Sequence, residues 1–126
     1  MAYTQTFKHQ VLDHAFRNNA MTSPETVYVG LLDGDPGNGG TEVDEASYDR
    51  QSVSFGAPSG GEVTTDSETD FGTAGESWGT VTHFAIFDAE TGGTMLVAAE
   101  LSQSKPIEEG DSVRFPAGEL TLDLNA

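Results

Sequence analysis

The residues best suited to bind a metal ion are Asp33, Asp35 and Asn38, which share one short loop. Carboxylate and amide oxygens in a flexible loop are the ligands that Ca²⁺ prefers in proteins. The loop lacks the bidentate glutamate of an EF-hand, and Pro36 departs from that pattern. Asp, Asn, Pro and Gly also dominate ordinary turns, because each favours turn geometry. We therefore expect a turn that binds Ca²⁺ or Mg²⁺ weakly at most, and we expect no other cofactor.

A histidine and two carboxylates lie close together in the stretch GTVTHFAIFDAETGGTML, namely His83, Asp88 and Glu90. A catalytic histidine needs a nucleophile and an orienting carboxylate beside it in space. The apolar residues around His83 instead indicate a buried strand, which a Gly-rich turn connects to a second strand. We interpret the stretch as a β-hairpin in which His83 is a hydrogen-bonded sheet or interface residue. We therefore predict that the protein is not an enzyme.

Two further sets of polar residues resemble binding sites only loosely. His9 and His14 lie five positions apart on a predicted helix, whereas a metal-binding pair needs the i, i+4 spacing. Asp66, Glu68 and Asp70 alternate along a possible strand, so that their carboxylates would share one face and repel each other. We interpret the two histidines as surface or interface residues. The three carboxylates would form a cation site only if salt fails to screen their repulsion.

Aromatic residues offer an alternative function, because sugar rings stack on aromatic side chains. Trp78, Tyr28 and Tyr48 are the candidates for such a stacking platform. The alternative is thus a carbohydrate-binding module that recognises a host-surface glycan. A Trp78→Ala variant that stays folded but loses glycan binding would favour this function, whereas a variant that does not fold would indicate that Trp78 packs in the core.

The elements that must position these residues begin with one helix. Phe7, Val11 and Ala15 recur at i, i+4 within residues 4–18, which predicts a helix in the segment 1–20. The face that carries Phe7, Val11 and Phe16 either closes the core or docks on a neighbour, and amphipathicity favours the core.

After residue 26 the period of the apolar residues changes from 3.6 to 2, which indicates strands. Six or seven short strands with regular turns predict an antiparallel β-sandwich or a jelly-roll-like domain with one N-terminal α-helix. The length is that of one domain over 1–126, with the sandwich in 26–125. The predicted strands cover 27–32, 50–55, 62–71, 80–87, 94–102, 112–115 and 120–124.

Acidic residues far outnumber basic ones, with 21 Asp and Glu against 5 Lys and Arg and a net charge of −16. Nucleic acid is not an expected partner, because phosphate binding needs clustered cations. Carboxylates scattered along the chain favour a halophilic protein that requires high salt, since 1 M salt screens their repulsion beyond about 3 Å. An acidic protein of a mesophile is the other interpretation.

The sequence contains no cysteine, which excludes disulfides and thiolate sites. Its apolar runs are far shorter than the roughly 20 residues of a membrane span, and its first residues do not form a secretory signal. We therefore expect no membrane insertion and synthesis in the cytoplasm.

Several segments, taken in order, resemble a family of small tailed-phage virion proteins that carry the label tail fibre protein. The most specific segment is 78–88 (WGTVTHFAIFD), and the resemblance covers nearly the whole chain. The acidic composition makes this chain look like a version of the family from a haloarchaeal tailed virus. The other segments that carry the resemblance are 12–17, 26–31, 35–37, 39–43, 48–55 (YDRQSVSF) and 110–118 (GDSVRFPAG).

The resemblance implies a structural virion protein that is made in the host cytoplasm and is then assembled. Because the predicted domain is compact, a capsid decoration or turret on the particle surface fits as well as a tail fibre. We expect a homo-oligomer, a trimer or a pentamer, that also contacts other virion proteins of the capsid or tail.

Overall fold

The computed structural model describes residues 1–124 as one α-helix, nine β-strands and a short 3₁₀ turn at Pro36–Asn38. Among these residues, no helix has the length and apolar character needed to cross a membrane. The elements in chain order are β1 (Ala2–Tyr3), α1 (Gln5–Phe16), β2 (Val27–Leu32), β3 (Gln51–Val53), β4 (Glu62–Thr64), β5 (Thr69–Thr73), β6 (Gly79–Phe87), β7 (Met95–Ile107), β8 (Ser112–Phe115) and β9 (Thr121–Asp123).

The largest sheet has five strands in the order β1-β7-β6-β2-β3, and every neighbouring pair is antiparallel. Its centre is the hairpin of β6 and β7, in which Phe84 lies opposite Ala99 and Ile86 opposite Val97. Two further antiparallel pairs, β4–β9 and β5–β8, complete the β structure. The resulting molecule is mainly β with one N-terminal helix, as predicted.

The main core lies between the five-stranded sheet and the two strand pairs. Alternation along β2 directs Val29 and Leu31 into this core, and both side chains are fully buried. From the opposite side, β8 contributes the buried Phe115, whose ring meets that of Phe71 edge to face. Leu32 lies on the other face of the sheet, in a second and smaller apolar cluster. A sheet with apolar residues on both faces explains why the runs in β2 and β6 are almost continuously apolar.

Most predicted strands are confirmed, with changes at their boundaries. The predicted strand 62–71 is two strands, β4 and β5, which belong to different strand pairs. β7 is longer than predicted, and β1 was not predicted. The single-domain assignment over 1–126 stays a prediction, and its residues 125 and 126 lie outside the described residues.

The prediction for the face of α1 is wrong in part. Phe7 packs against the core cluster, but no residue of α1 is buried and Phe16 is 80% exposed. The reason is helical geometry: nine positions correspond to about two and a half turns, so that Phe7 and Phe16 lie on opposite faces. A stripe that includes both residues therefore cannot face one core.

Candidate functional site

The loop of Asp33, Asp35 and Asn38 forms a turn whose polar side chains bond within the turn. Asp35 caps the 3₁₀ turn, because its Oδ1 accepts from the Gly37 N–H at 2.9 Å and its Oδ2 accepts from Asn38 Nδ2 at 3.2 Å. Asp33 Oδ1 accepts from the N–H of Thr41 at 2.7 Å. Residues 1–124 contain no group of three or more acidic or histidine side chains arranged to hold a metal ion. Weak binding of Ca²⁺ or Mg²⁺ at this loop stays a prediction.

The three aromatic residues predicted as a glycan platform have different environments. Trp78 is 5% exposed and belongs to the core cluster, so protein atoms cover both faces of its ring. Tyr48 is half-buried, with its ring edge-on to Trp78 at 5.4 Å and stacked on Phe71 at 6.1 Å. Tyr28, on β2, is also half-buried. Glycan binding by these residues stays a prediction, and the structure places Trp78 in a packing role.

The most extensive polar network joins Glu42, Tyr48 and Arg50. Arg50 binds both carboxylate oxygens of Glu42 at 2.9 Å, through Nε and an Nη atom. The Tyr48 hydroxyl donates to Glu42 Oε2 at 2.6 Å and accepts from the N–H of Leu31 at 2.9 Å. Burial and the hydrogen bond to Glu42 raise the pKa of Tyr48 well above its ordinary value. The network therefore holds a neutral tyrosine beside a paired carboxylate.

Arg50 also connects this network to the tip of the β6–β7 hairpin. Its guanidinium donates to the carbonyl oxygens of Ala89 and Gly92 at 3.0 and 2.8 Å and lies 3.5 Å from the centroid of the Phe87 ring. Gly30 is required beside it, because an added Cβ would lie 2.6 Å from a Glu42 oxygen. Each of the three guanidinium nitrogens of Arg50 thus donates at least one hydrogen bond within the protein, which indicates a structural role.

A second polar cluster holds the loop before β6. The Ser47 hydroxyl bonds to the carboxylate of Glu76 and accepts from Trp78 Nε1 at 3.0 Å and from the Gly75 N–H at 2.9 Å. The hydrogen bond from the Ser47 hydroxyl is the main cause that lowers the pKa of Glu76. The cluster therefore fixes the Trp78 indole and favours an ionised Glu76.

The structure does not bring His83 and Asp88 together as a catalytic pair. His83 Nδ1 lies 2.8 Å from the hydroxyl of Thr82, and the residue is opposite Glu100 in the β6–β7 ladder. Asp88 Oδ1 instead accepts from the N–H of Thr94 at 2.7 Å and closes the hairpin turn. The prediction of a β-hairpin for this stretch is confirmed.

Sequence reasoning missed one motif, since residues 75–79 read GESWG and have the Gly-x-Ser-x-Gly spacing of a nucleophile elbow. A nucleophile elbow connects a strand to a helix, whereas Ser77 lies in the loop that leads into strand β6. Its hydroxyl donates to the carbonyl of Ile107 and accepts from the N–H of Gly79, both at 3.3 Å. The local fold therefore gives Ser77 a structural role.

Sequence reasoning also missed an exposed row on α1, formed by Lys8, Leu12 and Phe16. The i, i+4 spacing places these three side chains on one face, and all three are exposed, with Leu12 at 52% and Phe16 at 80%. The signal was present in the sequence, because the apolar residues of α1 extend around most of the helix. We call these three residues the outer row.

Residues 2–123 match a family model described as Gp80, podophage GP4 fiber I protein gp80. Comparison with curated proteins gives no match.

Proposed function

The chain belongs to the Gp80 family of podophage fibre proteins, and on this premise we propose that it is a surface module of a tailed virion, assembled as an oligomer at a fibre-type position on the tail. The family establishes that the chain is a structural fibre protein of a tailed virus. The finer proposal adds the surface position and the oligomer. The observation that carries the fibre-type assignment is the extent of the match, which includes every helix and strand of the described fold.

The hydrogen bonding of the polar residues supports a structural role. Within each of the two polar clusters, around Arg50 and around Ser47, the polar groups form hydrogen bonds with one another. Both clusters also connect loops to the sheet. Among the described residues, no buried side-chain polar atom lacks a hydrogen-bond partner. A catalytic site usually keeps a polar group available for its substrate, and these clusters use theirs to hold the fold.

Immunogold labelling of purified virions with antibodies against this chain tests the proposed position. We expect gold particles at the tail. Label spread over the capsid would contradict the tail position and favour a capsid decoration or turret. Virions that lack the chain altogether would contradict a virion role of any kind.

The same proposal includes adaptation to molar salt, as a module of a haloarchaeal tailed virus. The support is the net charge of −16 on a single small chain, because 0.01 M salt screens charges only beyond about 30 Å and 1 M salt beyond about 3 Å. We expect the melting temperature, followed by circular dichroism, to rise with KCl between these concentrations. Sucrose at matched osmolality is the control for excluded-solute effects. A melting temperature that does not change with KCl would contradict the adaptation.

A further inference from the structure

Two features on different flanks of α1 lack an apolar partner in the described part of the chain. The first feature is the outer row, which includes Phe16, whose side chain is 80% exposed. The other is a groove of about 310 Å³ between α1 and the β4–β9 pair, with a nearly all-apolar lining. Phe7 and Val11 form the helix side of this groove. Its opposite wall consists of Pro58, Val63, Leu122 and Leu124.

Charge distinguishes these two features as well. Residues 1–20 contain Lys8, Arg17 and Asp13 as their only charged side chains, which gives a net charge of +1 and leaves −17 on the remainder of the chain. The outer row therefore lies on a segment that a second, acidic copy does not repel. Two acidic residues, Glu62 and Asp123, also line the groove, and we call them its acidic rim. A cationic apolar row and an apolar groove with an acidic rim are complementary.

We propose that the outer row of one copy docks in the groove of a second copy of this chain, with Phe16 as the anchor. This inference rests on the proposed function, because it names the contact through which the proposed oligomer forms. Buried aromatic anchors commonly dominate the binding energy of such contacts. Lys8 pairs with the acidic rim and so fixes the orientation of the contact. Phe16 and Leu12 supply most of the affinity in high salt, because charges are screened there.

The arrangement also bears on the symmetry of the assembly. Because the outer row and the groove lie on different flanks of the same helix, a copy can present its donor surface to one neighbour and its acceptor surface to another. Contacts of this head-to-tail kind close into rings when the rotation between copies allows it. A ring is the assembly expected of a trimer or pentamer.

Light-scattering mass in 1 M KCl tests the role of Phe16. We expect the parent chain, of 13.3 kDa, to show a multiple of this mass and Phe16→Ser to be monomeric. At a low concentration, where both chains are monomeric, we expect their melting temperatures to agree. Gln10→Ala, an exposed change on another face of α1, is the matched control and retains the oligomer. A parent chain that is monomeric at every concentration contradicts the proposed oligomer itself. A Phe16→Ser variant with the parent's mass contradicts only the docking contact.

Cross-linking tests the location of the acceptor, because the chain contains no cysteine of its own. An Ala15→Cys variant, which keeps Phe16 and places a thiol at the exposed position beside it, is mixed with a Pro58→Cys variant and oxidised. We expect a disulfide between the two variants, since this bond requires Cα atoms within about 7 Å. The control pairs Ala15→Cys with Glu68→Cys, which lies outside the groove. Equal cross-linking in both mixtures, or none with Pro58→Cys, overturns the assignment of the groove.

A charge exchange tests the orientation. Lys8→Glu is expected to weaken assembly about tenfold in 0.15 M KCl, and Glu62→Lys in the same chain is expected to restore it. Glu68→Lys is the matched control with the same charge change at another site. Restoration by Glu68→Lys to the same degree would show that only net charge matters, and it would overturn the role of the groove rim.

Discussion

The region around Trp78 and the region around Phe16 differ in how far they bury a large aromatic side chain. Trp78 is 5% exposed, with its indole N–H bonded to Ser47 and its ring against Tyr48. Phe16 is 80% exposed at the end of α1. Burial of an aromatic side chain contributes roughly 1.5 to 3 kcal/mol, so the β sheets use this energy for folding. In α1 the same energy remains available for assembly.

The largest effect on folding is expected at Trp78. Trp78→Ala removes a ring from the core cluster and leaves the Ser47 hydroxyl without its indole donor. We expect a loss of about 3 to 5 kcal/mol in the free energy of unfolding, measured with guanidinium chloride, whose ions also provide the salt. Trp78→Phe, which keeps an apolar ring, is the control and should lose less. A Trp78→Ala variant as stable as the parent would contradict the packing role.

Arg50→Met is expected to have the next largest effect. The change keeps most of the apolar stem but leaves the Glu42 carboxylate without its cation and two carbonyls without a donor. We expect a loss of about 2 to 4 kcal/mol. Arg17→Met is a matched control, because its ion pair with Asp13 is exposed and should contribute less than about 0.5 kcal/mol. Equal losses for both variants would show that the buried network adds nothing beyond an ordinary surface pair.

A smaller effect is expected at the junction between the two regions. The Thr4 hydroxyl accepts from the N–H of Phe7, which caps α1, and donates to the carbonyl of Met95 at 2.8 Å. Thr4→Ala should therefore cost about 1 kcal/mol. Thr4→Ser, which keeps the hydroxyl, is the control. An equal cost for both variants would exclude the hydrogen bonds as the cause.

Acid should weaken the Trp78 region specifically. The Ser47 hydrogen bond lowers the pKa of Glu76 in the folded protein, so the unfolded chain binds a proton at higher pH than the folded chain. The stabilisation is fully present above the ordinary glutamate pKa, and it is lost as the pH falls through the lowered pKa. We expect the melting temperature to fall less steeply between pH 6 and 3 for Glu76→Gln than for the parent. Parallel curves would mean that Glu76 contributes nothing to the acid sensitivity.

The smallest effect on folding is expected at Leu12, in the outer row. Its side chain is 52% exposed, so Leu12→Ser should change the free energy of unfolding of the monomer by no more than about 0.5 kcal/mol. Denaturation at low protein concentration, where the chain is monomeric, provides the measurement. A loss above about 1 kcal/mol would show that α1 packs on the sheets more closely than its exposure indicates.

Patterns of apolar residues predicted the strands well. A strand such as β8 buries one residue in two against the core, whereas β2 and β6 show the nearly continuous apolar run of a sheet covered on both faces. The same reasoning failed for α1, where apolar residues occur on several faces and local pattern does not tell which face meets the sheets. It also failed for β1, because two residues are too short to show a period. The strand pairs β4–β9 and β5–β8 join distant parts of the chain, which no local pattern reveals.

For the polar sites, residue type proved a weaker guide than position. Asp33, Asp35 and Asn38 were selected as oxygen ligands, and the structure shows their side chains in turn hydrogen bonds. The network of Glu42, Tyr48 and Arg50 was not predicted, because it also depends on carbonyls of Ala89 and Gly92, some forty residues further along the chain. The outer row could have been found from the sequence, by asking which apolar residues a single core-facing stripe leaves over.

The pairing of β1 with β7 has a consequence for the order of folding. In the β6–β7 hairpin Phe87 pairs with Met95, whereas β1 pairs Ala2 with Ala98. Closing the longer loop costs about 2 kcal/mol more in chain entropy, so we expect the hairpin to form first and β1 to join late. At a synthesis rate of about 5 to 20 residues per second, β1 and α1 leave the ribosome roughly 5 to 20 s before their partner strand β7 leaves it. Throughout that interval the apolar side chains of this segment have no sheet to pack against.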